Sequence, residues 1–145
     1  MGTHYFNYLL HGGIALVHMA RGHPEALGDL EKALANATQA RDDYAMGVLS
    51  HSVGESRLSL GDAAGAIEPL KAALNYYRRN GMKPYIARAL APLAEAYRNT
   101  GMSEEAREAQ TESDALVAEL HLPPEPPRRG ADNKPRPVVT PPTAA

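Results

Sequence analysis

His4, His11 and His18 recur seven residues apart, which makes them the first place in the chain to look for chemistry. Imidazoles on one helical stripe invite a metal. Seven helical residues, however, rise about 10.5 Å, too far for two rings to share an ion at bonds of about 2.1 Å each. We therefore read them as helix-packing or surface histidines and expect no metal and no cofactor. The neighbouring carboxylates Asp42-Asp43 and Glu104-Glu105 could serve acid–base catalysis if a cleft held them. Their surroundings fit helix starts better, where an acidic side chain meets the positive end of the helix dipole. The sequence carries no phosphate loop, nucleophile elbow or metal motif, so no catalytic residue is assigned and the chain is not expected to be an enzyme.

Two short stretches could bind rather than react. Tyr76-Tyr77-Arg78-Arg79 places aromatics beside guanidinium groups, a pairing that can stack unpaired bases, but it also reads as a helix end with basic last-turn charges. The net charge of −2 supplies no electrostatic pull toward nucleic acid or an anionic membrane, so neither is expected as a partner. PPEPPR, from Pro123 to Arg128, fits a P-x-x-P-x-R ligand pattern, with a stiff linker as its simpler reading.

The elements that would position these groups follow from punctuation and periodicity. Of 12 prolines, eight fall in the last 25 residues. Segment 122–145 is accordingly read as a disordered, partly polyproline II tail behind a folded domain over 1–121. Within that domain apolar residues recur at spacings of three and four. Ala106, Ala109, Ser113, Leu116, Val117 and Leu120 share a stripe, with Glu104, Glu105, Arg107, Glu108 and Glu112 off it. Ser103 is expected as that helix's N-cap.

Six helices are predicted, at about 5–21, 24–40, 43–60, 63–79, 84–100 and 103–120, pairing into hairpins over 5–40, 43–79 and 84–120. Gly22, Gly61 and Gly101 sit in the turns, where a residue free to take positive φ lets one helix end and the next begin. Pro69 and Pro92 conflict with this pattern, because a proline inside a helix costs roughly 3 kcal/mol against alanine. Kinks, or a late start at 69, are expected there, and such bends would set the curvature of the array.

The stretch YLLHGGIALVHMA has no preceding Lys or Arg and is broken by His and Gly-Gly, so it is not read as a signal sequence. No run approaches the roughly 20 apolar residues needed to cross a bilayer. With no cysteine in the chain, a soluble protein of the reducing cytoplasm is expected.

The hairpins repeat. Ala26, Ala66 and Ala106 lie 40 apart, followed in register by Leu30, Leu70 and Gln110, then by Ala33, Ala73 and Ser113. One hairpin cannot bury both of its apolar stripes, and a stack of three can. Leu93-Ala94, Tyr97, Gly101 and Ala106 resemble the large-small, aromatic, glycine and alanine series of the tetratricopeptide repeat family, with Leu90 where Trp is favoured. The second repeat has Val53-Gly54, Gly61, Ala66, Leu70 and Ala73, but Arg57 and Ser50 replace the Tyr and Trp. The first has Ile14-Ala15, Gly22, Ala26, Leu30 and Ala33, with His11 and His18 at the aromatic places. The period of 40 is longer than the family's usual 34 and is similar to a longer-helix variety found near the C-terminal ends of large bacterial signalling ATPases, nucleotide cyclases and transcription regulators.

The resemblance implies an all-α fold, a short right-handed solenoid of three stacked antiparallel hairpins. It also implies that the first helix of each pair lines a concave face that binds protein or peptide. That face would be formed by Leu9, Gly12, Leu16 and Met19, then Val48, His51, Glu55, Leu58 and Ser59, then Arg88, Ala91, Glu95, Arg98 and Asn99. It grades from apolar to charged, suiting a peptide with both kinds of anchor. Of the residues with which family members clamp a C-terminal carboxylate, only Arg88 matches. Gly12, Leu16, Ser52 and Pro92 stand at the other places, so a chaperone-tail clamp is not expected. The first helix is apolar nearly all round, which suggests a homodimer or a missing upstream domain there. The alternative function is a regulatory arm of a larger signalling ATPase, nucleotide cyclase or transcription regulator, acting on domains of its own chain.

Overall fold

The computed structural model describes residues 7–124. The expected helix start at 5, His4 and the tail from 125 onward lie outside them. Six α-helices follow in order: α1 (Asn7–Ala20), α2 (Leu27–Gln39), α3 (Asp43–Ser59), α4 (Ala63–Arg79), α5 (Lys83–Asn99) and α6 (Ser103–Leu120). A 3-10 turn at Pro24–Ala26 leads into α2, with Pro24 in the first turn where its missing N–H costs nothing. Among the described residues there is no strand.

Each helix ends in the same way. A backbone N–H two or three residues past the helix donates to the carbonyl five residues earlier, as in His23 to His18, Asp42 to Ala37, Asp62 to Arg57, Met82 to Tyr77, Met102 to Tyr97 and Leu122 to Val117. This is the Schellman bond, and it requires a left-handed residue just before the donor. Gly22, Gly61, Gly81 and Gly101 supply it, at φ of 91°, 88°, 62° and 81°. At the two remaining ends Arg41 and His121 take the left-handed conformation, at φ of 54° and 50°, despite their side chains. Asp42 and Asp62 each do a second job. Having closed one helix, they cap the next, accepting from the N–H of Ala45 at 3.0 Å and of Gly65 at 2.9 Å. The acid at position 42 thus lies at a helix start, as read from the sequence. Ser103 does not cap: it is the first residue of α6, behind Met102, and no side chain caps that helix.

Packing follows the hairpin repeat. Leu30, Ala33 and Ala37 of α2 join Ala45, Leu49 and Val53 of α3 in one core cluster that includes Tyr8 and Ala15. Leu70, Ala73, Leu74 and Tyr77 of α4 join Ile86, Ala89, Leu90 and Leu93 of α5 in the other. Ala66 is fully buried, Ala26 and Ala106 are at most 5% exposed, and their small side chains are what lets paired helices sit close. At Gly54 the approach is tighter still, because an added Cβ would stand 2.5 Å from Leu70 Cγ.

Both internal prolines lie in unbroken helices, so the late start at 69 does not occur. Pro69 removes the N–H that would have bonded the carbonyl of Gly65. That carbonyl is instead met from outside the helix by Arg57 Nη1, at 2.9 Å. The same guanidinium reaches Glu31 Oε1 with Nε at 3.2 Å and Nη2 at 2.9 Å, so one side chain of α3 ties α2 to α4. Pro92 is fully buried in α5.

Candidate functional site

The backbones of the odd-numbered helices approach one another in sequence, α1 to α3 and α3 to α5, whereas those of α2, α4 and α6 come close only to their own hairpin partners and the following odd helix, α4 and α6 being bridged by the Arg78–Glu112 ion pair. A layer in continuous contact backed by a layer that is splayed apart is curved, and the contacting layer lies inside the curve. The gaps on the outside are visible as two open grooves. One runs between α2 and α4 past Val53, Arg57 and Pro69. The other runs between α4 and α6 past Leu93 and Tyr97. The inner surface therefore belongs to α1, α3 and α5.

Repeat position decides which residues reach that surface. Leu9, Val48 and Arg88 share one position, Leu16, Glu55 and Glu95 a second, and Ser59 and Asn99 a third. Leu9, Val48, Glu55, Ser59 and Glu95 are half-buried and Leu16, Arg88 and Asn99 are exposed, so these side chains form rows across the three helices. Leu9 also packs against the first core cluster. Along the array the rows change from apolar on α1 to mixed on α3 and charged on α5.

Another expected row does not reach the surface as a unit. Leu58 is only 6% exposed and belongs to the second core cluster, which corrects its placement on the binding face. Met19, at the same repeat position, packs against the first cluster. Arg98 is the third member and is exposed, leaning toward α6 with Nη2 3.5 Å from Gln110 Oε1. The physical reason is that this position faces the next repeat. Where a hairpin follows, the residue is covered, and α5 has no following hairpin among the described residues. Gly12 is likewise buried, with Leu49 Cδ2 lying 2.5 Å from where its Cβ would be.

His51 sits at the edge of the inner surface, between Tyr77 and Glu55. Its Nδ1 lies 3.0 Å from the hydroxyl of Tyr77, and its Nε2 lies 3.8 Å from Glu55 Oε1. The Tyr77 ring leans on Tyr85 at 5.3 Å, on His51 at 5.7 Å and on Tyr76 at 5.9 Å, and Tyr76 meets Tyr44 at 6.4 Å. Burial, then the neighbouring Tyr85 and Glu55, push the ionisation of the Tyr77 hydroxyl well above the ordinary tyrosine value. This aromatic strip joins the ends of α3, α4 and α5, and sequence reasoning missed it because its members come from three different helices. Tyr77 is 1% exposed and Arg78 is held by Glu112 at 2.7 Å, so the Tyr-Tyr-Arg-Arg stretch does not present that ring for base stacking.

His11 and His18 lie exposed on α1. Among the described residues no group of three His, Cys, Asp or Glu side chains is placed to hold a metal ion. No helix among them is long and apolar enough to cross a membrane.

No family model and no curated protein matches the chain. A solved structure does: the crystal structure of the TPR domain of Arabidopsis FLU superposes with a TM-score of 0.66, covering 79% of this chain and 94% of that one. At 21% sequence identity the likeness speaks for architecture alone. That architecture, with its hairpins in register and its curved inner layer, is the tetratricopeptide repeat fold.

Proposed function

We propose that the chain is a protein-binding scaffold that receives an extended or helical peptide segment on the inner surface of α1, α3 and α5. The observation that supports this most directly is the alignment of Leu9, Val48 and Arg88, and of Leu16, Glu55 and Glu95, into rows that cross three helices and keep part of each side chain at the surface. Such rows offer anchors at the spacing of neighbouring helices, about 8–10 Å, which a peptide lying across them meets every few residues. The gradient sets the partner's chemistry: apolar side chains toward α1, and side chains of both charges toward α5, opposite Arg88 and Glu95. We assign no reaction to this surface. The cysteine-free, nearly neutral composition fits a scaffold of the reducing cytoplasm.

The test is to select binders from a random peptide library against the full chain and measure the affinity of the best one by calorimetry. Val48→Asp with Arg88→Ala should weaken binding at least tenfold. Glu105→Ala with Glu108→Ala, on the outer groove between α4 and α6, should leave it unchanged. Equal affinity for the wild type and the inner-face variant would refute the assignment.

A further inference from the structure

The outward stripe of α1 is apolar and uncovered: Leu10, Ile14 and Val17 are 60%, 46% and 50% exposed. One repeat later the same positions are Leu49, Val53 and Ser56, and two repeats later Ala89, Leu93 and Ala96, none of them more than 7% exposed. Inside the array, α2 covers the first of these sets and α4 the second, with leucine and alanine faces. The stripe on α1 is therefore built as a helix-receiving face in the register of the two that are already filled.

We infer that this face is filled by α1 of a second copy of the chain, giving a closed two-fold dimer. The inference concerns a different surface from the inner groove and stands independently of the peptide-binding reading. Three observations support the choice of occupant. First, α1 carries no Asp, Glu, Lys or Arg from Asn7 to Ala20, so two copies meet there without charge repulsion or a carboxylate to desolvate. Second, Gly13 lies beside the stripe with nothing within 4 Å of where its Cβ would stand, which lets a second backbone approach closely. Third, the other end of the array cannot serve. Where α2 and α4 offer Leu30 and Leu34, then Leu70 and Leu74, α6 offers Gln110 and Asp114, hydrogen-bonded to each other at 2.8 Å. Stacking α6 of one copy on α1 of another would bury that carboxylate against leucine and valine. Pairing α1 with α1 buries Leu10, Ile14 and Val17 with no carboxylate among them, His11 and His18 flanking the contact, and leaves no open end for a filament.

The experiment is light scattering and sedimentation of the full chain across a hundredfold range of concentration. The expected result is a mass reaching twice the 15.6 kDa of one chain and stopping there. Ile14→Lys should return the mass to one chain while its helical circular dichroism stays that of the wild type. Because the chain has no cysteine, Gly13→Cys should form an interchain disulfide under oxidation, and Asp114→Cys should not. A mass of one chain at every concentration would overturn the inference, as would a dimer indifferent to Ile14→Lys. Growth beyond two chains, or cross-linking through position 114, would overturn it in favour of head-to-tail stacking. A monomer whose Gly13→Cys variant cross-links to a different protein would overturn it in favour of a foreign helix on this face.

Discussion

Replacing Arg57 by methionine keeps most of the stem that packs in the outer groove and removes the guanidinium. Two losses follow. The carbonyl of Gly65, already deprived of a helical partner by Pro69, loses the Nη1 donor at 2.9 Å. An under-satisfied, partly buried carbonyl of this kind costs about 1–3 kcal/mol. The ion pair with Glu31 also goes, but with side chains 31% and 41% exposed it is screened by solvent and contributes only about 0.5 kcal/mol. The expected destabilisation of Arg57→Met is therefore about 2–3 kcal/mol. The decisive step is to repeat it in a Pro69→Ala background. Alanine restores an N–H four residues after Gly65, so the carbonyl is satisfied within α4 and no longer depends on Arg57. Arg57→Met should then cost about 1 kcal/mol or less, leaving a coupling energy of about 1–2 kcal/mol between the two positions. Equilibrium urea unfolding of the four proteins, with slopes compared to check for two-state behaviour, measures it. Additivity within about 0.3 kcal/mol would refute the idea that the arginine compensates for the proline.

Arg41→Gly should stabilise the fold by about 0.5 kcal/mol, since glycine relieves a left-handed strain of about 1 kcal/mol but loses more freedom on folding. Gly81→Ala, at the equivalent turn, should destabilise by about 1 kcal/mol, and thermal melting that ranks the two the other way would contradict the shared turn geometry. At high pH the buried Tyr77 hydroxyl holds its proton after an unfolded chain, titrating near 10.0, has lost it. The folded state then binds more protons, so this contribution is full below about pH 10 and is lost as pH rises further, by up to about 1.4 kcal/mol per pH unit. The groups facing Tyr77 are His51, Glu55, Tyr44, Tyr76 and Tyr85, and Tyr77→Phe should flatten the alkaline limb of a urea-midpoint profile. An unchanged slope would show that another group carries it.

The helices were legible because each boundary is written locally. A left-handed residue, usually glycine, closes a helix, and an acid or proline opens the next, so predicted and observed ends differ by at most one residue where both are described, except at 24, where a 3-10 turn precedes the start of α2 at Leu27. The inner surface was legible only where a position plays the same part in every repeat, as Val48 and Arg88 do. Leu58 was misplaced because its part depends on whether a hairpin comes after it, a property of the neighbour rather than of the residue. The choice at Arg57 was visible as a departure from the aromatic residue of the repeat, but its reason was not. The guanidinium answers a proline twelve residues away on another helix, and no local pattern connects the two. The aromatic strip around Tyr77 was hidden in the same way, since its rings come together only when three helix ends converge.

The joint between helices has no slack in it. Asp42 and Asp62 are each the last group held by one helix and the first acceptor of the following one, so the rotation about each connection is fixed by a single residue serving two masters. At the α1–α2 turn, where no acid serves both helices, one residue fewer is accommodated by the 3-10 turn Pro24–Ala26. Where one acid does serve both helices, the angle between them is a property of the corner rather than of the rods on either side.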